Sequence, residues 1–185
     1  MKYTAIVLAG SRPGRDAFAE AFGTELKALI PVAGEPMVRR PVRALLASEN
    51  IGKVIVLAQA PERIDDAIPA DPRVAVWESQ GTIAETMLGL CDDKRVEWPL
   101  LVTTADHALL DSGMIDEFCR GAADADVAIG VVERALLSRR VTHTRRTWLK
   151  FRGGAYTGTN LFALRSPKVV PAIELHKLWW NWRHK

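Results

Sequence analysis

Sulfur and imidazole are scarce in this chain: its 185 residues hold two cysteines and four histidines. Cys91 and Cys119 stand far apart, in stretches that read as helices, so neither a zinc knuckle nor a disulfide framework is expected, and both thiols are read as reduced and buried. Long apolar runs are also missing. No stretch approaches the ~20 consecutive apolar residues that a membrane span requires, and Met1 to Leu8 lacks the long apolar region and small-residue cleavage site of a secretory leader. A cytoplasmic protein is expected. Internal repeats, low-complexity tracts and Gly/Ser linkers are lacking too, so residues 1–185 read as a single domain, with 48% hydrophobic residues to fill a core.

A strong excess of either charge is missing as well. The formal net charge is +3, yet Lys and Arg bunch at Arg12 to Arg15, Arg39 to Arg43, Arg134 to Arg152 and the C-terminus. Local basic clusters on a nearly neutral chain favour an anionic small molecule over a long polyanion.

What the chain does have is alternation. Short apolar runs bounded by turn signals predict buried strands at Tyr3 to Leu8, Val54 to Ala58, Val74 to Trp77, Leu100 to Thr104 and Val127 to Val132. Helical spacing of apolar residues falls between them, at Pro36 to Ala47, Thr82 to Leu90 and Met114 to Ala123, the last with Ser112 as its expected cap. Such alternation predicts a mostly parallel sheet with helices on both faces. After Val132 the rhythm changes: a basic stretch leads into strand-like pieces at Arg146 to Phe151 and Asn160 to Leu164, as an antiparallel excursion at the sheet edge would. Pro167 to Lys185 reads as a helix that stops on "WWNWRHK" without a capping glycine, as a shortened helix would.

In an open parallel sheet, ligands gather beyond the carboxyl ends of the strands, where loop amides and helix N-termini point at them. The stretch "TAIVLAGSRPGRDAF" lies there. Gly10 lets backbone approach a ligand without a Cβ, and Arg12 and Arg15 can fork onto phosphate oxygens; an ordinary solvated turn is the alternative. The dinucleotide fingerprint is absent because position 12 is arginine, and the P-loop is absent because no Gly-Lys-Ser/Thr follows. Further on, "LLVTTADHALL" ends an apolar strand on Asp106, an oxygen donor suited to a hard cation, although an aspartate there can also cap a helix. His107 reads as a neutral, hydrogen-bonded imidazole.

The order of Leu8-Ala9-Gly10, an arginine-bearing loop, Lys27-Ala28-Leu29 and "PVAGEPM" resembles the signature of GT-A-like nucleotidyltransferases. That superfamily includes molybdopterin cytidylyl- and guanylyltransferases and sugar-1-phosphate nucleotidylyltransferases. The loop between Gly10 and Lys27 is longer than the family's usual one and lacks the second glycine immediately after position 11. The resemblance implies an α/β, three-layer Rossmann-like fold, that of the nucleotide-diphospho-sugar transferases, with a small antiparallel excursion. It implies transfer of a nucleotidyl group from an NTP to an anionic small-molecule acceptor, with Mg2+ and release of pyrophosphate. Leu8, Ala9, Gly10 and Ser11 would meet the nucleotide, Arg12 and Arg15 its β and γ phosphates, and Lys27 its α phosphate. By the same resemblance Gln80, Gly81 and Thr82 face the base, Asp106 and Asn160 hold the metal, and Arg145, Arg146 and Lys150 face the acceptor. A solvated basic loop is the plainer reading of those last three.

Rival readings are a glycosyltransferase of the same fold, a nucleotide-binding module without turnover and an RNA binder using Arg139 to Arg152. The first is disfavoured by Asp106-His107-Ala108, which lacks the second aspartate such enzymes use. The tryptophans at 179, 180 and 182 are read as packing against the domain or a second subunit rather than as a membrane anchor or base-stacking platform, which allows a homo-oligomer through the C-terminal helix.

Overall fold

A computed structural model describes residues 2–10, 16–79, 81–139, 141 and 146–174. In chain order these form β1 (Tyr3–Leu8), α1 (Ala17–Ala21), a 3-10 turn at Lys27–Leu29, β2 (Pro31–Val32), β3 (Glu35–Pro36), α2 (Arg39–Ala47), β4 (Ile51–Ala58), β5 (Val74–Glu78) and α3 (Ile83–Asp92). There follow β6 (Leu100–Thr104), α4 (Ser112–Gly121), β7 (Val127–Glu133), α5 (Arg134–Ser138), β8 (Leu149–Phe151) and β9 (Gly154–Leu164). Seven strands make one sheet in the order β5-β4-β1-β6-β9-β7, with β8 alongside β9, while β2 and β3 pair as a separate ribbon. The pairs β5–β4, β4–β1 and β1–β6 are parallel. Strand β9 runs against β6, β7 and β8, so of the seven it alone is reversed.

Strand alternation sorts the apolar residues into two layers. Ala5, Val7, Val54, Val56 and Leu101 face α2 and α4, meeting Val42, Leu45, Ile115 and Cys119. Ile6, Ile55, Leu57, Leu100 and Val102 face the other way and meet Met87 and Leu90 of α3, with Val169 and Ile173 beyond β9. The result is the three-layer α/β architecture expected from the sequence, with buried parallel strands at its centre.

Several boundaries differ from expectation, each for a local reason. Helix α2 starts at Arg39 rather than Pro36, because Pro36 is held in the ribbon opposite Pro31. Asp111, not Ser112, caps α4, accepting the Met114 N–H at 2.8 Å; a carboxylate one residue earlier takes the first free amide. Of the strand expected from Arg146, the described strand begins at Leu149. Asn160 lies within β9 rather than at its start, since β9 is an eleven-residue strand opening at Gly154. Residues 167–169 form a 3-10 turn and 170–174 are helical. The three tryptophans fall outside the described residues. Cys119 is buried and Cys91 half-buried, both as free thiols, and burial raises each, Cys119 to about 11.

Candidate active site at the carboxyl ends of β1 and β6

Strands β1 and β6 are neighbours, so their exits open side by side. Leu8 pairs with Thr104, and the Leu8 carbonyl accepts the Ala105 N–H at 2.9 Å, which ties the two exits together. Ala9 donates its N–H to the Leu57 carbonyl of β4 at 2.8 Å. These bonds hold Leu8, Ala9 and Gly10 rigidly where the chain leaves the sheet. At position 10 the backbone lies close to the Gln59 side chain: a Cβ there would stand 2.8 Å from its carboxamide nitrogen, so Gln59 would have to shift. Gln59 follows β4 and is a member of this end of the sheet that no motif marked.

Lys27 arrives from a different direction. Its 3-10 turn is stitched to the start of α2, with Met37 N–H bonded to the Ile30 carbonyl at 2.9 Å and Val38 N–H to the Ala28 carbonyl at 3.0 Å. Ala28 and Ile30 are buried, so the turn is anchored on both sides and its lysine has a fixed root. Across 79 residues of sequence, Lys27 Nζ meets Asp106 Oδ2 at 2.5 Å. Both side chains stay partly open to solvent, at 41% and 34%.

Asp106 has two further neighbours. The Thr104 hydroxyl donates to Asp106 Oδ1 at 2.5 Å, and the Asn160 side-chain N–H donates to the same hydroxyl at 3.3 Å. Burial opposes the charged carboxylate, but hydrogen bonds from Lys27 and Thr104 and the lysine's charge outweigh it, holding Asp106 below the ordinary carboxylate range. Asn160 reaches this cluster because β9 is irregular here. Opposite the two-residue step from Ile129 to Val131 in β7, β9 advances from Phe162 to Gly158. Asn160 takes φ +54° within that bulge, a conformation asparagine tolerates, and Gly130 opposite has no Cβ to collide with Thr159.

His107 is half-buried, its Nδ1 3.2 Å from the Thr103 hydroxyl. Burial pushes its imidazole down, against the pull of Asp106 and together with the push of Arg146, which favours the neutral ring. It suits a structural role rather than that of a general acid.

Other sequence candidates lie elsewhere or are committed locally. The Thr82 hydroxyl is the N-cap of α3 in a reciprocal capping box with Glu85. Gly81, at φ +72°, makes the turn into that cap, where a Cβ would collide with the Glu85 carboxylate. Arg146 bonds the Gly158 carbonyl at 3.4 Å, on the same strand as Asn160. Lys150 pairs opposite Ala155, five residues along β9 from Asn160, or about 17 Å of strand. Ser11, Arg12, Arg15, Gln80 and Arg145 lie outside the described residues. The sequence reading missed Thr104 and Gln59: a threonine ending a strand and a glutamine after one carry no motif, and only the pairing of strand exits gives them meaning.

Asp106 and Asn160 offer oxygen donors of the kind Mg2+ takes. Among the described residues no three His, Cys, Asp or Glu side chains gather as a metal cage, and no helix is long and apolar enough to cross a membrane.

Comparison with known proteins follows the same lines. A family model described as "MobA-like NTP transferase domain" matches residues 5–162. No curated protein matches the sequence. Among solved structures, a hypothetical transferase from Thermus thermophilus is 31% identical with a TM-score of 0.73. The match covers 89% of this chain and 66% of that one, so the chain spans just under two thirds of that protein's length. The 4-diphosphocytidyl-2C-methyl-D-erythritol synthase of Anaerococcus prevotii shares 11% identity at a TM-score of 0.66, covering 96% of this chain and 76% of its own. A CMP:2-keto-3-deoxy-manno-octonic acid synthetase solved with CTP shares 14% at 0.65, covering 96% and 84%. The last two speak for the fold alone. With the motif order, the three-layer sheet and the family match over residues 5–162 in agreement, the chain belongs to the MobA-like NTP transferase domain family.

Proposed function

We propose that this domain transfers a nucleotidyl group from an NTP to a phosphorylated small-molecule acceptor, with Mg2+ and release of pyrophosphate. The observation that carries the reading is the meeting of Lys27 and Asp106 at the shared exit of β1 and β6. An ammonium and a carboxylate from remote segments, both rooted in buried backbone and both partly open, form a site that can neutralise a phosphate and hold a cation.

An acceptor oxygen attacks the α phosphorus; the new P–O bond forms as the bond to the bridging oxygen toward the β phosphate breaks, and pyrophosphate leaves with that electron pair. A phosphate oxygen on the acceptor is ionised at neutral pH, so no general base is required. That suits a neutral His107. Lys27 stabilises charge growing on the α phosphate's outer oxygens, where a fixed cation favours the transition state over the ground state. For it to turn to the phosphate, its contact with Asp106 must yield. Mg2+, when bound, supplies charge neutralisation between phosphate oxygens, and Asp106 with Asn160 would hold it. Two such donors make a weak cage, which favours a cation arriving with the triphosphate. The loop bearing Ser11, Arg12 and Arg15 leads directly from Gly10 and is proposed to take the β and γ phosphates, with Gln80 and Gly81 toward the base and Arg145, Arg146 and Lys150 toward the acceptor.

Pyrophosphate release from each of the four NTPs, against phosphorylated sugars, polyols and pterin-type acceptors, tests this directly. The wild type is expected to turn over one pairing and both Lys27→Ala and Asp106→Ala to lose it. Equal activity in wild type and both variants would place the chemistry elsewhere. NTP binding without turnover against every acceptor would favour a binding module instead.

A further inference from the structure

We infer that Thr104 is a positioning residue that sets the orientation of both Asp106 and Asn160 toward a divalent cation. The inference rests on the nucleotidyl-transfer reading and adds to it a residue whose role no motif assigns.

Hydrogen-bond chemistry fixes the direction of the chain. Asp106 is a carboxylate and can only accept, so the 2.5 Å contact to Oδ1 is a donation from the Thr104 hydroxyl. A hydroxyl has one proton, and this one is spent on Asp106. Toward Asn160, at 3.3 Å, the same oxygen can therefore only accept. The amide must present its nitrogen to Thr104, which leaves its carbonyl oxygen as the end available to a metal. One hydroxyl thus turns a carboxylate from the turn after β6 and an amide from β9 into a set with defined donor atoms.

The hydroxyl is itself well held. Thr104 ends β6 in register with Leu8 of β1, and its carbonyl accepts the His107 N–H at 3.1 Å, closing the turn that carries Asp106. The backbone that carries it is thereby fixed on both sides. Asn160, in contrast, sits in a bulge at φ +54° with its residue exposed, so a side-chain anchor matters more there than on a regular strand.

The test compares Thr104→Val, which keeps the shape and removes the hydroxyl, with Thr104→Ser, which keeps the hydroxyl. In metal-free protein, the side-chain amide signals of Asn160 in a nitrogen–proton correlation spectrum should shift in Thr104→Val and stay near wild type in Thr104→Ser. Mn2+ titrated with α,β-methylene analogues of the four NTPs, followed by water-proton relaxation, should bind roughly tenfold more weakly to Thr104→Val alone, the scale typical of lost outer partners of metal ligands. Unchanged urea midpoints would set aside a folding defect. In an active pairing, the Mg2+ needed for half-maximal rate should rise more than the rate at saturating Mg2+ falls.

Unchanged amide signals and Mn2+ affinity in Thr104→Val would overturn the inference while leaving the nucleotidyl-transfer reading intact. Equal impairment of the serine variant would also overturn it, because no hydroxyl-specific role would remain. A wild type that binds no Mn2+ with any analogue would overturn the functional reading and this inference with it.

Discussion

Ile6, Ile55, Leu100 and Leu101, on the central strands, are at 0% exposure. Strand β7, two positions away across β9, buries nothing fully: Val127, Ile129 and Val131 project outward, Ile129 at 56%. Helix α5 and strand β8 have no buried residue either. This outer arm is held chiefly by ladder bonds to β9, by Phe151 edge-on to Tyr156 at 5.9 Å, and by Arg134 stacked 5.6 Å from the Trp148 ring centre. The proposed chemistry divides along the same line. Lys27, Thr104 and Asp106 are rooted in the core, whereas Arg146 and Lys150 belong to the arm. Under the proposed function, such a division would let a fixed phosphate-handling centre be served by an edge that varies with the acceptor, because sub-ångström placement needs packed neighbours and solvated charge recognition does not.

The largest expected effect breaks the core half of the comparison. Lys27→Ala should lower the rate of pyrophosphate release about a hundred- to a thousandfold, with no change in urea midpoint. Next, Leu101→Ala should cost about 2–5 kcal/mol of stability through lost burial and a residual cavity, while Ile129→Ala on the arm should stay within about 0.5 kcal/mol; paired urea titrations read both. Comparable losses would erase the distinction between core and arm. Lys150→Ala should raise the acceptor KM a few-fold and leave kcat and the NTP KM alone, since an exposed charge contributes on the order of 1 kcal/mol or less. A fall in kcat instead would move Lys150 into the centre.

The smallest effect concerns acid. At the end of α3, side-chain and backbone hydrogen bonds with Arg95 hold Asp93 down to about 2 from an ordinary 3.8. A carboxyl lowered on folding stabilises the native state above the unfolded value, and that contribution is lost as pH falls through the folded value. Asp93→Asn should therefore narrow the stability gap between pH 5 and pH 2 relative to wild type. Urea midpoints at the two pH values check the sign; a wider gap would contradict it.

Much of this architecture was legible in residue order. Apolar runs at Tyr3 to Leu8 and Leu100 to Thr104 became strands with those same limits, because a strand buried on both faces has little choice of residue type. Asp106 stood out at the end of an apolar strand, where local chemistry is visible, whereas Lys27 was reached only through the resemblance of the motif order. Ser112 misled because serine and aspartate cap equally well, and position relative to the first free amide decided between them.

By itself, the sequence determined the alternation of elements and, through the order of its motifs, pointed to one lysine and one aspartate as the residues proposed for phosphate and metal. Only the tertiary structure decided that β9 lies between β6 and β7, that a bulge swings Asn160 toward Thr104, and that one threonine hydroxyl joins Asp106 to an asparagine 56 residues along the chain from that threonine. The reason is physical: backbone ladder bonds are the same for every residue, so which strands become neighbours, and in what register, is settled by burying the whole sheet and not by the residues at any one strand's end.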